Sequence, residues 1–406
     1  MTLTRDARLL FATRMARMFG YGLLSVVLVL YLAELGLDGA RIGAILTLTL
    51  VGDAAISLWL TTHADRLGRR RILLVGAALM LGAGVVFGLT RDFWVLLLAA
   101  TIGVISPSGN EVGPFLAVEQ ASLSQTLPDR DRTRVFGWYN LAGSLATASG
   151  ALVAGLTAQL LQGGGAGELD SYRAIVFAYA LIGILMALLF TRLSSAIEVP
   201  MAPDVSVATR LGLHKSRGIV LRLAALFSLD AFAGGFVMQS LIAYWFHLRF
   251  GADPATLGAI FFAANILAGF SALAAARLAA RIGLINTMVF THLPSNVLLI
   301  LVPLMPSLPI AVGVLLARFA ISQMDVPTRQ SYTLAVVDPD ERSAAAGVTG
   351  IARSLGAAIS PSLAAPLIQS VPLAGLPFFI GGGLKIVYDL LVLRAFRAVK
   401  PPEELP

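Results

Sequence analysis

The sequence predicts an all-α integral membrane protein, with twelve transmembrane helices in two pseudo-symmetric six-helix bundles. Three observations lead there. The 406 residues are 57% hydrophobic and 13% charged, with a mean hydropathy of +0.82; a soluble domain carries about 25% charged residues. Apolar runs of about 20 residues, the length that crosses a bilayer, recur along the whole chain. The first half of the chain also reappears in the second at a nearly constant offset. A soluble chain of this size would leave too much of that apolar surface outside. A membrane β-barrel would need short alternating strands, whereas these runs are long and apolar all round.

Charged, Pro and Gly residues cut the chain into spans at 9–33, 41–63, 72–90, 93–118, 134–161, 172–192, 219–247, 255–278, 285–305, 309–333, 344–369 and 377–396. Each is expected to be a helix, because lipid offers the backbone no partner outside its own segment. GLDGARIG (36–43) separates the first two spans, and the charged THADRLGRRR (62–71) the second from the third. Arg91 and Asp92 precede the fourth, TLPDRDRTR (126–134) the fifth and GGGAGELD (163–170) the sixth. The longest polar stretch, 193–218, holds Pro200 and Pro203 and is expected to be a cytoplasmic linker. In the second half GADPATLG (251–258), ARLAARIGLINTM (276–288), the Pro-rich stretch at Pro306, DPDER (338–342) and the region of Pro372 separate the spans. The expected domains are therefore 1–192, a six-helix bundle; 193–218, the linker; 219–396, a second six-helix bundle; and 397–406, a cytoplasmic tail.

The repeat is carried by particular residues. At an offset of 215, Gly36, Asp38, Ala40 and Gly43 match Gly251, Asp253, Ala255 and Gly258. Gly20, Arg66 and Gly68 match Gly235, Arg281 and Gly283 at the same offset. Further on the offset falls to 210, where Gln120, Arg132 and Gly137 match Gln330, Arg342 and Gly347. Orientation follows from the basic residues. Of 30 Lys plus Arg, Arg41, Arg91, Arg173 and Arg249 fall in loops on one side and Arg14, Arg17, Arg318, Arg353 and Lys385 inside spans, leaving 21 on the other side. The positive-inside rule makes that side cytoplasmic and puts both termini there, in a bacterial inner membrane. The N-terminus leads into a first span without a clear cleavage site and is expected to be retained.

Several function classes are excluded. There is no cysteine, so there are no disulfides or thiolate metal sites. The histidines His63, His214, His247 and His292 form no ligand-spaced set, and no phosphate loop or His-Glu-x-x-His motif occurs. No metal, cofactor or nucleic acid is expected, and no catalytic constellation that would make an enzyme.

Residues 61–73, TTHADRLGRRRIL, resemble the loop signature of the major facilitator superfamily, Gly-x-x-x-Asp-Arg-x-Gly-Arg-Arg/Lys. Asp65, Arg66, Gly68, Arg69 and Arg70 stand at the matching positions, with Thr61 in place of the usual Gly. The second copy keeps Arg281 and Gly283 but has Ala280 where the acid belongs. The resemblance implies that this loop locks the cytoplasmic side in one state of a transport cycle. Physically, Gly68 suits a tight turn, Arg69 to Arg71 suit anionic headgroups, and Asp65 suits the positive end of a neighbouring helix.

Ionisable residues inside spans are costly and become functional hypotheses. They are Asp53, Glu111, Asp230, Arg318, Asp325, Arg353, Lys385 and Asp389, with Arg14 and Arg17 placed to snorkel at the end of span one. In the superfamily, spans one, four, seven and ten line the substrate path, which singles out Arg17, Glu111, Asp230, Arg318 and Asp325. Arg318, Ser322, Asp325 and Arg329 share one helical face. Asp230 is a candidate proton carrier in dry surroundings and a fixed anion beside an arginine; both readings stay open, as they do for Asp53 and Glu111. Lys385 and Asp389, four apart, are expected to pair with each other. In span four, Pro107, Gly109, Gly113 and Pro114 loosen the helix and make Asn110 and Glu111 candidate substrate contacts.

The resemblance implies secondary transport of a small solute by alternating access, by a monomer in the lipid bilayer. With no ATP motif, the coupling ion is expected to be the proton and the direction export. Arg318 favours an anionic or zwitterionic solute; Asp230 and Glu111 favour a cation or a proton. Span four lacks the arginine, and span five the Gly-Pro, of drug–proton antiporters. An uptake symporter or facilitator is the alternative within the fold, and a non-transporting sensor the alternative outside it.

Overall fold

The computed structural model describes residues 4–125, 129–198, 215–338, 341–397 and 399; the side chains of Asp65, of 129–134 and of Ser343 lie outside that description. All regular structure among these residues is helical. The helices are α1 (Arg5–Glu34), α2 (Gly39–Leu67), α3 (Arg69–Leu89), α4 (Phe93–Ile102), α5 (Phe115–Gln125), α6 (Asp129–Gly163), α7 (Glu168–Thr191) and α8 (Arg217–Gly235). They continue as α9 (Gln239–Phe250), α10 (Pro254–Ile282), α11 (Leu284–Leu301), α12 (Leu308–Ser322), α13 (Asp325–Ala335), α14 (Arg342–Ile359), α15 (Pro361–Gln369) and α16 (Leu376–Phe396).

Eleven segments among the described residues are helices long and apolar enough to cross a membrane. The remaining span is the fourth, which is broken. Its first helix, α4, has 10 residues, about 15 Å at 1.5 Å per residue and half a bilayer core. Residues 103–114 are unwound, and α5 resumes at Phe115. The Pro and Gly residues there do more than kink the helix, since Gly109 and Gly113 adopt φ of 71° and 81°. Three further spans are interrupted: seven between α8 and α9, ten between α12 and α13, and eleven between α14 and α15.

The repeat is visible in the backbone. Gly36 and Gly251 have φ of 81° and 65°, and Gly68 and Gly283 φ of 95° and 86°. Only glycine reaches such angles without strain, so the same turns close the same spans in both halves. Asp38 and Asp253 each cap the following helix, accepting from Arg41 N at 2.8 Å and Thr256 N at 2.7 Å.

The chain forms two compact units: residues 1–205 with 239–262, and residues 206–238 with 263–406. In the first, α1 packs on α6 so closely that a Cβ on Gly22 would lie 2.2 Å from the Thr147 carbonyl oxygen. Small residues permit such backbone contact in membranes. The core of the second unit gathers Leu223, Phe227, Met288, Val289, Tyr332 and Tyr388. Of the expected linker, residues 199–214 lie outside the described residues, as does most of the expected tail.

Candidate functional site: two buried ion clusters

The first unit concentrates charge where α1, the unwound stretch, α5 and α6 meet. Arg17 on α1 is fully buried. Its Nη1 and Nη2 donate to Glu119 Oε1 and Oε2 at 2.8 and 2.7 Å, and its Nε donates to Glu111 Oε1 at 2.7 Å. Arg14, one turn earlier, donates through Nη1 to Glu111 Oε2 at 2.7 Å and through Nε to the Tyr139 carbonyl at 3.0 Å. Its Nη2 reaches Asn140 Oδ1 at 3.3 Å. Glu119 also accepts from Thr13 Oγ1 at 2.8 Å and from the Tyr139 hydroxyl. Two arginines face two glutamates, and every guanidinium nitrogen has an acceptor. A Cβ on Gly143 would lie 2.7 Å from Arg14 Nε, so a glycine there makes room for the guanidinium.

The unwound stretch that carries Glu111 is held by side chains, as backbone at membrane depth requires. Asp53 Oδ1 accepts from Gly113 N at 2.6 Å and from Ser57 Oγ at 3.1 Å. The hydroxyl of Tyr21 donates to the Val112 carbonyl at 3.0 Å, and that of Tyr179 to the Val104 carbonyl.

The second unit builds its cluster around Asp230 on α8. Asp230 Oδ1 accepts from Lys385 Nζ on α16 at 2.5 Å, and Oδ2 from Arg329 Nη1 on α13 at 3.0 Å. Arg353 Nη1 on α14 stands 3.8 Å from Oδ2, and His292 Nε2 on α11 stands 3.9 Å from Oδ1. Arg329 also binds Asp325 at 3.0 Å. The other ring nitrogen of His292 lies 2.8 Å from Asp389 Oδ1, and Asn296 Nδ2 donates to Asp389 Oδ2 at 2.9 Å. Arg318, on α12, lies over the Phe319 ring at 5.0 Å and makes no hydrogen bond or ion pair among the described residues. Among these residues no group of three or more His, Asp or Glu is placed to hold a metal ion.

The expected site residues therefore divide. Arg17 and Glu111 meet in the first cluster, and Asp230 and Asp325 in the second, with Arg318 beside them. Asp53 supports the unwound stretch. Asn110 stands apart and exposed, its carbonyl accepting from Ser106 Oγ at 2.7 Å. Three expectations are corrected. Arg14 and Arg17 do not snorkel; they are 6% and 0% exposed because two glutamates compensate them inside the bundle. Lys385 and Asp389 do not pair, since Lys385 is turned to Asp230 and Asp389 to His292 and Asn296. Arg69 is buried rather than facing headgroups.

In the loop, Gly68 turns the chain, and Arg66 and Arg281 lie in the last turns of α2 and α10. The Asp65 side chain lies outside the described residues. At the N-terminus of α3 the anion is Glu198, which accepts from Arg69 N at 2.7 Å and Arg70 N at 3.1 Å. Arg70 Nη2 also donates to the Thr191 carbonyl at 2.6 Å. The sequence reading missed Glu119, Tyr139, His292 and Asn296. Glu119 had a signal: it precedes Gln120, whose match Gln330 follows Arg329, a charged residue on the predicted face. The span expected to end at 118 continues as α5 to Gln125 and so takes in Glu119.

The family model described as Major Facilitator Superfamily matches residues 10–361. The uncharacterized membrane protein YJR124C of Saccharomyces cerevisiae is 29% identical over 426 residues, covering 98% of this chain and 95% of that protein. Quinolone resistance protein NorA of Staphylococcus aureus is 29% identical over 119 residues, 29% of each chain. In structure, the nucleoside transporter NupG superposes with a TM-score of 0.74 at 14% identity, covering 97% of this chain and all of that one.

Proposed function

The chain belongs to the Major Facilitator Superfamily, an integral membrane protein and secondary transporter, and from that premise we propose that it exports a small solute in exchange for protons. Asp230 is the coupling group: Arg329 and Lys385 hold it as an anion in this packing, and it takes a proton when the transport cycle draws those cations away. The observation that carries this reading is that side chains from four other helices converge on one carboxylate: the cations Lys385, Arg329 and Arg353, and the imidazole of His292. A proton on Asp230 removes the charge that ties α16, α13, α14 and α11 to α8. In a poorly screened interior that changes the relative stability of two packings, which is what coupling requires. The partial likeness to a protein named for quinolone resistance supports the outward direction. The excess of basic residues on one side supports cytoplasmic termini. The loop at 62–71 supports a lock on that side.

Reconstitution into proteoliposomes tests the proposal. With Asp230→Asn, solute counterflow is expected to persist while accumulation driven by a pH gradient is lost. Accumulation that still follows the gradient would remove Asp230 as the coupling group. A gradient that drives solute along with the proton, rather than against it, would replace export by symport. Asp65→Ala is expected to slow flux without lowering the amount of protein in the membrane; unchanged flux would reject the lock.

A further inference from the structure

We propose that Arg318 and Ser322 on α12 bind a monovalent organic carboxylate, and that this is the chemical class of the transported solute. The proposal rests on the transport reading and narrows it.

Arg318 is 9% exposed and Ser322 4%. Arg318 Nε and Ser322 Oγ are both buried without a hydrogen-bond partner. They lie four residues apart on one helix, so both project from the same face. Buried polar groups are almost always bonded, and such exceptions call for an explanation. The Phe319 ring, 5.0 Å from the Arg318 guanidinium, gives the cation a flat support. Arg353 adds a third unfilled donor, since its Nη1 faces Asp230 at 3.8 Å without a hydrogen bond.

The charge count points the same way. Arg318, whose charge acts on Asp325 and Asp230, joins Arg329, Arg353 and Lys385 as four cations against the three carboxylates Asp230, Asp325 and Asp389. Among these Lys, Arg and Asp side chains the cations exceed the carboxylates by one. The first unit, with two arginines against two glutamates, has no such excess. A single uncompensated charge in a membrane interior is costly, and a ligand of charge −1 removes it. The two guanidinium nitrogens can only donate and the Ser322 hydroxyl can donate, so an acceptor satisfies all three. A carboxylate presents two acceptor oxygens to a planar guanidinium and a further lone pair to a hydroxyl. A dianionic phosphate would overshoot the charge, and an amine would be repelled.

The test uses the purified full chain in detergent. Thermal unfolding is followed with acetate, lactate and benzoate, each against its amide, and benzoate also against benzylamine and inorganic phosphate. At least one carboxylate is expected to raise the melting temperature while its amide and the amine do not. Arg318→Gln should weaken that binding at least tenfold, Arg318→Lys should weaken it because the fork is lost, and Ser322→Ala should weaken it severalfold. Without ligand, Arg318→Gln should melt higher than the wild type, because it removes an unpaired buried charge. No response to any of the three carboxylates, equal response to carboxylate and amide, a stronger response to phosphate, retained binding in Arg318→Gln, or a lower ligand-free melting temperature each overturns the proposal. Counterflow in proteoliposomes separates it from the transport reading. A carboxylate that binds through Arg318 but is never exchanged leaves the site and removes transport. Exchange of amines or neutral solutes that ignores Arg318→Gln leaves transport and removes the site.

Discussion

In the first unit Arg17 on α1 is clasped by Glu119 on α5; in the second, Asp230 on α8 is clasped by Arg329 on α13. The repeat relates one member of each pair, with its charge exchanged, and brings the other only near its counterpart. At the offset of 210 Glu119 falls on Arg329, and at 215 Asp230 falls on position 15, between Arg14 and Arg17. The same offset of 210 sets Gly143 against Arg353. In one unit that position leaves room for the guanidinium of Arg14; in the other it supplies a guanidinium of its own, facing Asp230. Two copies of one architecture thus hold a balanced cluster with its guanidinium donors filled and an unbalanced one with donors to spare. A buried pair with every bond made resists change, whereas an incomplete one responds to a proton or an anion. The proposed function assigns anchoring to the first unit and coupling to the second.

The comparison can be broken by mutation. The largest effect is expected at Arg17. Arg17→Gln leaves Glu119 buried without its bidentate partner and should lower stability by about 3–5 kcal/mol in chemical denaturation. A loss no greater than that of a surface substitution would end the picture of an anchoring cluster. Gly68→Ala and Gly283→Ala come next. Each forces a side chain into a positive-φ turn, costing about 1–3 kcal/mol, and the two costs should be alike because the turns are repeats. Unequal melting temperatures would mean that the loops have diverged as the clusters have. Glu198→Gln and Glu341→Gln should each cost about 1–2 kcal/mol, since Glu198 caps α3 and Glu341 accepts from Lys215 N and Ser216 N, just before α8, at 2.8 Å each. The smallest stability effect belongs to Arg353→Gln, whose side chain is 36% exposed and makes no hydrogen bond. It should change stability by under about 0.5 kcal/mol while sharply lowering flux, and a large loss of stability would place Arg353 with the anchoring groups.

Much of this was legible in the chain. Runs of apolar residues give spans because lipid cannot bond a backbone, and the glycines at 36, 68, 251 and 283 mark turns that recur in the backbone. Asp230, Glu111, Arg17, Arg318 and Asp325 stood out because charge inside a span needs a reason. Glu119 was lost at a span end, where a boundary set by composition is weakest. His292 was passed over because histidine in an apolar run carries no mark of its own. Lys385 and Asp389 were paired by their spacing of four, a rule that holds for isolated helices. Inside the bundle, α8 and α11 offered each a stronger partner.

The sequence alone determined the number of spans, the repeat, the turns and most of the charges inside the spans, because hydropathy and backbone freedom act over a few residues at a time. Tertiary structure alone decided which charge meets which, that the fourth span unwinds across 103–114 and is held there by Asp53, Tyr21 and Tyr179, and that Arg318 is left without an acceptor. Those outcomes depend on helices far apart in sequence coming within about 3 Å of one another, where a poorly screened interior makes the choice of partner worth several kcal/mol.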